Sequence, residues 1–256
     1  MRSAAASVFV AAFFLRAAVA GAEKTVSSFP SPFDASEWTS LLAKYVDARG
    51  LVAYGRWKSD AGDRRRLSEF LARLGRPGGA SLETDQRIAI LVNAYNAFII
   101  EAVLDRYPVE SIRAIPGAFT DEIHPSGGQR YSLDEIEHAA VRLGGYRVHA
   151  TMVCASRSCP PLDRRAFMAS DLSAHEDERM RAWMARGDLY RFDPETNTIF
   201  VPKYFEWYKS DFEKEGVARI LAAFAPKRYR GWIEGGGFRL AYLDYDWSLN
   251  DQGRPA

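Results

Sequence analysis

The sequence predicts an α+β fold, one domain in which a buried central helix packs on a small, mostly antiparallel sheet. Three observations point there. Helical periodicity dominates the first part of the chain, whereas short strand-like segments are scattered through the second. The segment from Asp85 to Arg106 is apolar nearly all round, the pattern of a helix covered on every side. Hydrophobic residues make up 47% and aromatic residues 13% of the 256, enough for a packed core. No repeat, low-complexity run or linker interrupts the pattern, so a single domain is expected over residues 36–250, with a lead-in at 23–35 and a flexible tail at 251–256.

The elements follow in order. Arg2, the apolar run Val8–Leu15 and the small-residue site Ala18-Val19-Ala20 read as a signal peptide over residues 1–22, although Arg16 interrupts its apolar character. Ser36 caps a helix over 37–47 with Trp38, Leu41, Leu42 and Tyr45 on one face. Gly50 to Tyr54 reads as a short strand or turn. A second helix spans 60–74, with Leu67, Phe70, Leu71 and Leu74 at helical spacing, and the glycines from Gly75 to Gly79 end it. Thr84 caps the central helix, and Pro108 follows it. A connection containing His124 leads to Ser132, which with Glu135 forms a capping box for a helix over 133–143. Ser170 caps a helix ending at Gly187. Leu189–Phe192 and Thr198–Val201 form a hairpin around Asp193–Asn197. Helices over 203–212 and 217–225 and a last strand over 238–243 complete the chain.

With 34 basic and 33 acidic residues, neither nucleic acid nor an anionic membrane is an expected partner. The signal peptide predicts an exported protein, periplasmic or secreted, not inserted in a membrane once processed, with a small molecule or peptide as ligand. No metal or cofactor is expected: H-E-x-x-H, P-loop, dinucleotide and G-x-S-x-G patterns are absent.

The chemistry concentrates in Val148–Pro161, which holds both cysteines, Cys154 and Cys159, and His149. The segment reads as a buried strand entering a Ser/Pro turn, which delivers a thiol to a strand end. On an extended chain His149, Thr151 and Val153 share one face and Cys154 the other. His149 and Cys154 would then lie ~16 Å apart, which removes His149 as the immediate base and leaves it a ligand-binding role. His138, on the capped helix that glycines turn back toward this segment, is the better base, with Glu101 or Asn96 orienting it. Arg157 supplies positive charge for a thiolate or a substrate carboxylate. Asn93, Tyr95 and Asn96 are polar residues on the central helix that either bind substrate or brace neighbouring loops. The competing reading is a structural Cys154–Cys159 disulfide, which an oxidising compartment favours. The aromatic run Tyr204, Phe205, Trp207, Tyr208 and Phe212 either lines a groove or packs in the core.

Four stretches together carry a resemblance: Leu91-Val92-Asn93-Ala94-Tyr95-Asn96-Ala97-Phe98, Tyr131–His138, Val148–Pro161 and the closing Tyr245-Asp246-Trp247-Ser248-Leu249-Asn250. In this order they resemble the domain-of-unknown-function family 547, with a likeness running from Trp38 to Asn250. The fold outline also looks like a papain or transglutaminase scaffold, by analogy alone. Such enzymes usually place their nucleophile at the start of the central helix, where this chain has no cysteine. The two functional expectations are a thiol-dependent hydrolase or acyltransferase acting on amide or thioester bonds, and a non-catalytic binding or scaffolding domain.

Overall fold

A computed structural model describes Phe29, residues 33–78 and residues 81–253. The signal-peptide expectation, nine of the thirteen lead-in residues and the last three residues lie outside these. The chain is α+β, built around two apolar clusters.

The first cluster surrounds the predicted central helix. Helices α1 (Ser36–Tyr45), α2 (Tyr54–Ser59), α3 (Ala61–Leu74) and α5 (Leu133–Gly144) gather about α4 (Thr84–Arg106). Every α4 residue from Ile88 to Ile100 is buried, so the helix has no solvent face to show a polar stripe. Its start is fixed by a capping box between Glu83 and Gln86, one residue before the expected Thr84 cap. Stacked rings join α1 to its neighbours: Tyr45 on Trp57 at 4.5 Å and Trp38 on Phe70 at 5.7 Å. The hairpin β1 (His124–Ser126) and β2 (Gln129–Tyr131), unforeseen in the long connection, packs against α3. Six-residue α2 also escaped the periodicity, which needs more than two turns to register.

The second cluster holds the sheet. Strands β3 (Arg191–Asp193) and β4 (Thr198–Pro202) form the expected hairpin, turned at Asn197 with φ 48°. Strand β5 (Arg239–Leu243) adds to β4 in parallel, a connection that requires a crossover. Helices α7 (Tyr204–Trp207), α8 (Lys209–Glu215), α9 (Val217–Phe224) and α10 (Arg230–Gly235) make it. Helix α6 (Leu172–Met184) supplies Met180 and Trp183 to the same core.

Between the clusters runs the cysteine segment, and here the strand expectation fails. Gly145 (φ 69°) turns the chain out of α5 into a 3-10 helix, Gly145–Ala150, and Met152–Cys154 belongs to no strand. The Thr151 amide and hydroxyl both donate to the Val148 carbonyl, at 2.9 and 2.7 Å, tightening a turn where alternation predicted a strand. The ~16 Å separation of His149 and Cys154 assumed an extended chain and loses its basis. At the far end, Gly50 (φ 77°) lies so close to Pro161 and Leu162 that a Cβ there would sit 2.5 Å from the Leu162 amide nitrogen. The start of the expected flexible tail is held in the fold: Asp251 is buried and accepts from the Tyr107 hydroxyl at 2.8 Å.

Candidate functional site

The central helix positions the thiol through one amide side chain. Asn96 Nδ2 donates to the Thr151 carbonyl (2.8 Å) while the Val153 amide donates to Asn96 Oδ1 (2.9 Å), clamping the backbone that leads into Cys154. Asn93 does the same for a later loop, donating to the carbonyls of Ala89 and Phe167 and accepting from the Phe167 amide. Both asparagines therefore spend their polar atoms on backbone. After Cys154, Ala155 takes the left-handed conformation (φ 64°) and the chain folds back. The closing segment ties the loop down: the Asn250 amide donates to the Ala155 carbonyl, and the Arg157 amide donates to the Ser248 carbonyl.

This loop brings four polar atoms together. The two sulfurs stand 2.8 Å apart, Ser156 Oγ is 3.2 Å from Cys159 Sγ, and the Tyr245 hydroxyl is 3.3 Å from Cys159 Sγ and 3.4 Å from Cys154 Sγ. The Cys154 amide also donates to Cys159 Sγ at 3.1 Å. Both cysteines are free thiols, so the structural disulfide is not formed: a bonded pair lies ~2.05 Å apart. Burial pushes the Cys159 thiol up, but hydrogen bonds from Cys154, Ser156 and Tyr245 outweigh it and bring it down to about 6. Cys154, hydrogen-bonded to that thiolate and buried, is raised well above its ordinary value. The pair thus shares one proton near neutrality, with Cys159 as the charged partner and Cys154 as donor. Tyr245 is raised by burial and by the sulfurs and stays a protonated donor, its hydroxyl 2.7 Å from Ser156 Oγ.

Cys154 opens onto a cleft of about 610 Å³. One wall is aromatic: Tyr245 packs between Tyr204 (5.9 Å), Trp207 (4.9 Å) and Trp247 (4.6 Å). The rest of the lining comes from Tyr95 on α4, Glu137 and His138 on α5, and the 113–120 loop. Of the aromatic run, Tyr204, Trp207 and Tyr208 line the cleft, whereas Phe205 and Phe212 stack on each other at 4.1 Å in the core.

The remaining expected residues are distributed as follows. His138 is exposed, lines the cleft and also borders a polar cavity of about 820 Å³ containing Asp211 and Lys214, and it hydrogen-bonds neither sulfur. Tyr95 is buried on the cleft wall. His149 is buried; its Nε2 is 3.0 Å from Asp211 and its ring lies 4.3 Å from Tyr208, so it reaches the cleft only through that tyrosine. Glu101 lies outside the cleft beside Arg64 and Asp105, and burial raises its carboxyl. Arg157 lines a separate cavity of about 570 Å³ and is not among the residues lining the cleft. Sequence reasoning missed Ser156, Tyr245 and Glu137. The signal for the first two was their membership in stretches already singled out; Glu137 was hidden beside His138. Among the described residues no group of three or more His, Cys, Asp or Glu side chains is arranged to hold a metal ion.

The family described as "Protein of unknown function, DUF547" matches residues 80–184, a stretch that contains α4, α5 and the whole cysteine loop. No curated protein and no solved structure matches the chain.

Proposed function

We propose, for a chain whose residues 80–184 match the DUF547 family, that its cleft is a thiol-dependent acyl-transfer site, hydrolase or acyltransferase, acting on amide or thioester bonds. The observation that carries the reading is the cleft-facing Cys154 sulfur paired at 2.8 Å with Cys159. The Cys159 thiolate accepts the Cys154 proton as the Cys154 sulfur attacks a carbonyl carbon. The carbon–sulfur bond forms, and the carbonyl electron pair moves onto oxygen. Collapse of that oxyanion breaks the bond to the leaving amine or thiolate, which takes the proton back from Cys159 or from His138 on the cleft wall. Water or a second nucleophile then releases the acyl group. Cys159 takes the proton-accepting role that sequence spacing gave to His138, and Asn96 is a positioning residue. The signal-peptide-like pattern of residues 1–22 supports placing this chemistry outside the cytoplasm; a fusion of residues 1–30 to a reporter active only after export tests that part.

The test of the chemistry is alkylation by iodoacetamide with mass mapping from pH 5 to 9. One adduct per native chain is expected, on Cys154, with a rate that rises through about pH 6, the value to which its partner Cys159 is lowered, in place of the ~8.5 of a free thiol. A native chain that resists alkylation over the whole range overturns the nucleophile and leaves the non-catalytic binding domain as the reading.

A further inference from the structure

Glu137 is buried to 8% exposure on the cleft wall, yet no Lys, Arg or His among the described residues pairs with it. The Tyr208 hydroxyl hydrogen-bonds the carboxyl. Asp63, of similar burial at 5%, shows how the chain treats such a group elsewhere: Lys44 at 2.5 Å and Arg66 at 2.8 Å close it off. A carboxylate withdrawn from water without a cation is costly, so an uncompensated one on a cleft wall is a place prepared for a ligand's positive charge. The surroundings fit such a charge. Tyr95 and Tyr208 line the same cleft as Glu137 and Cys154. Beyond them the wall continues as stacked rings whose faces attract cations, and its rim already holds one, the Arg113 guanidinium 5.0 Å over Trp247.

We infer that the cleft takes a ligand bearing a protonated amine, with the ammonium seated on Glu137 between Tyr95 and Tyr208 and the acyl carbon directed to Cys154. The inference rests on the acyl-transfer reading for the second half of that sentence only; the ammonium seat stands without the thiol. It names amine-bearing amides or thioesters as the substrate class and ranks them above carboxylate-bearing ones, which Glu137 would repel.

The experiment uses two probes of equal shape, n-butylammonium and n-butanol, followed by the fluorescence of Trp207 and Trp247. It is run in the full chain and in the Cys154→Ser, Glu137→Gln and Glu137→Asp variants. Butylammonium is expected to bind at least tenfold tighter than butanol in the full chain and in Cys154→Ser. Glu137→Gln keeps an acceptor for Tyr208 and is expected to erase the difference; Glu137→Asp is expected to retain part of it, showing that the charge matters and not the packing. Equal binding of the two probes, or a preference that survives Glu137→Gln, overturns the inference. Because Cys154→Ser lacks the thiol, failure here is separate from failure of the alkylation test.

Discussion

At the scale of single residues, the proton shared by two sulfurs governs what pH does. Cys159 titrates at about 6 when folded, against ~8.5 for a free thiol. A group whose folded value is lowered stabilises the fold above its unfolded value and loses that contribution as pH falls through the folded one. The melting temperature of the chain should therefore exceed that of Cys159→Ser most clearly near pH 8, with the gap closing by pH 5.5; a gap independent of pH would show that Cys159 is not charged. His124 gives the same sign from a different cause. Burial lowers it to about 4, and its ring lies 4.6 Å from Phe98 with no hydrogen bond at Nε2. Stability should fall between pH 6.5 and 4 by up to ~3 kcal/mol, and His124→Gln should flatten that part of a urea-denaturation profile.

At the scale of elements, two contacts set the site. Asn96 is a helix-to-loop clamp. Asn96→Ala leaves the Thr151 carbonyl and Val153 amide without partners, which should lower stability by ~3 kcal/mol and slow Cys154 alkylation at every pH. Ser132 accepts from the Glu135 amide at 3.2 Å while Glu135 accepts from the Ser132 amide at 2.8 Å, fixing the start of the helix that carries Glu137 and His138. Ser132→Ala should cost ~1 kcal/mol by chemical denaturation. Local signals of this kind were legible: the capping box, the all-apolar central helix and the Asp193–Asn197 hairpin follow from spacing of a few residues. The hidden parts lacked such a signal. Neighbours on a helix point about 100° apart, so sequence could not say whether Glu137 or His138 faced the core until α5 was docked. The cysteine segment looked like a strand because alternation and a 3-10 turn are both short, and hydrogen bonds from Thr151 decided between them.

At the scale of the whole molecule, the closing segment 245–252 joins what would otherwise be two separate cores. Tyr54 donates to Asn250, Tyr107 donates to Asp251, and Tyr245 caps the sulfurs while stacking on Tyr204 and Trp207 of the second cluster. Thermal unfolding followed by far-ultraviolet dichroism and by tryptophan emission should give one coincident transition. A chain ending at Asp244 should show two, and its thiols should alkylate at the rate of free cysteine.

Tyr245 lies 86 residues after Cys159 in the chain. At ~5–20 residues per second of synthesis, roughly 4–17 s pass between emergence of the second thiol and arrival of the hydroxyl that completes its setting. During that interval the polypeptide carries two ordinary thiols, so the lowered setting of Cys159 is timed by translation: a nascent or prematurely terminated product is born without it.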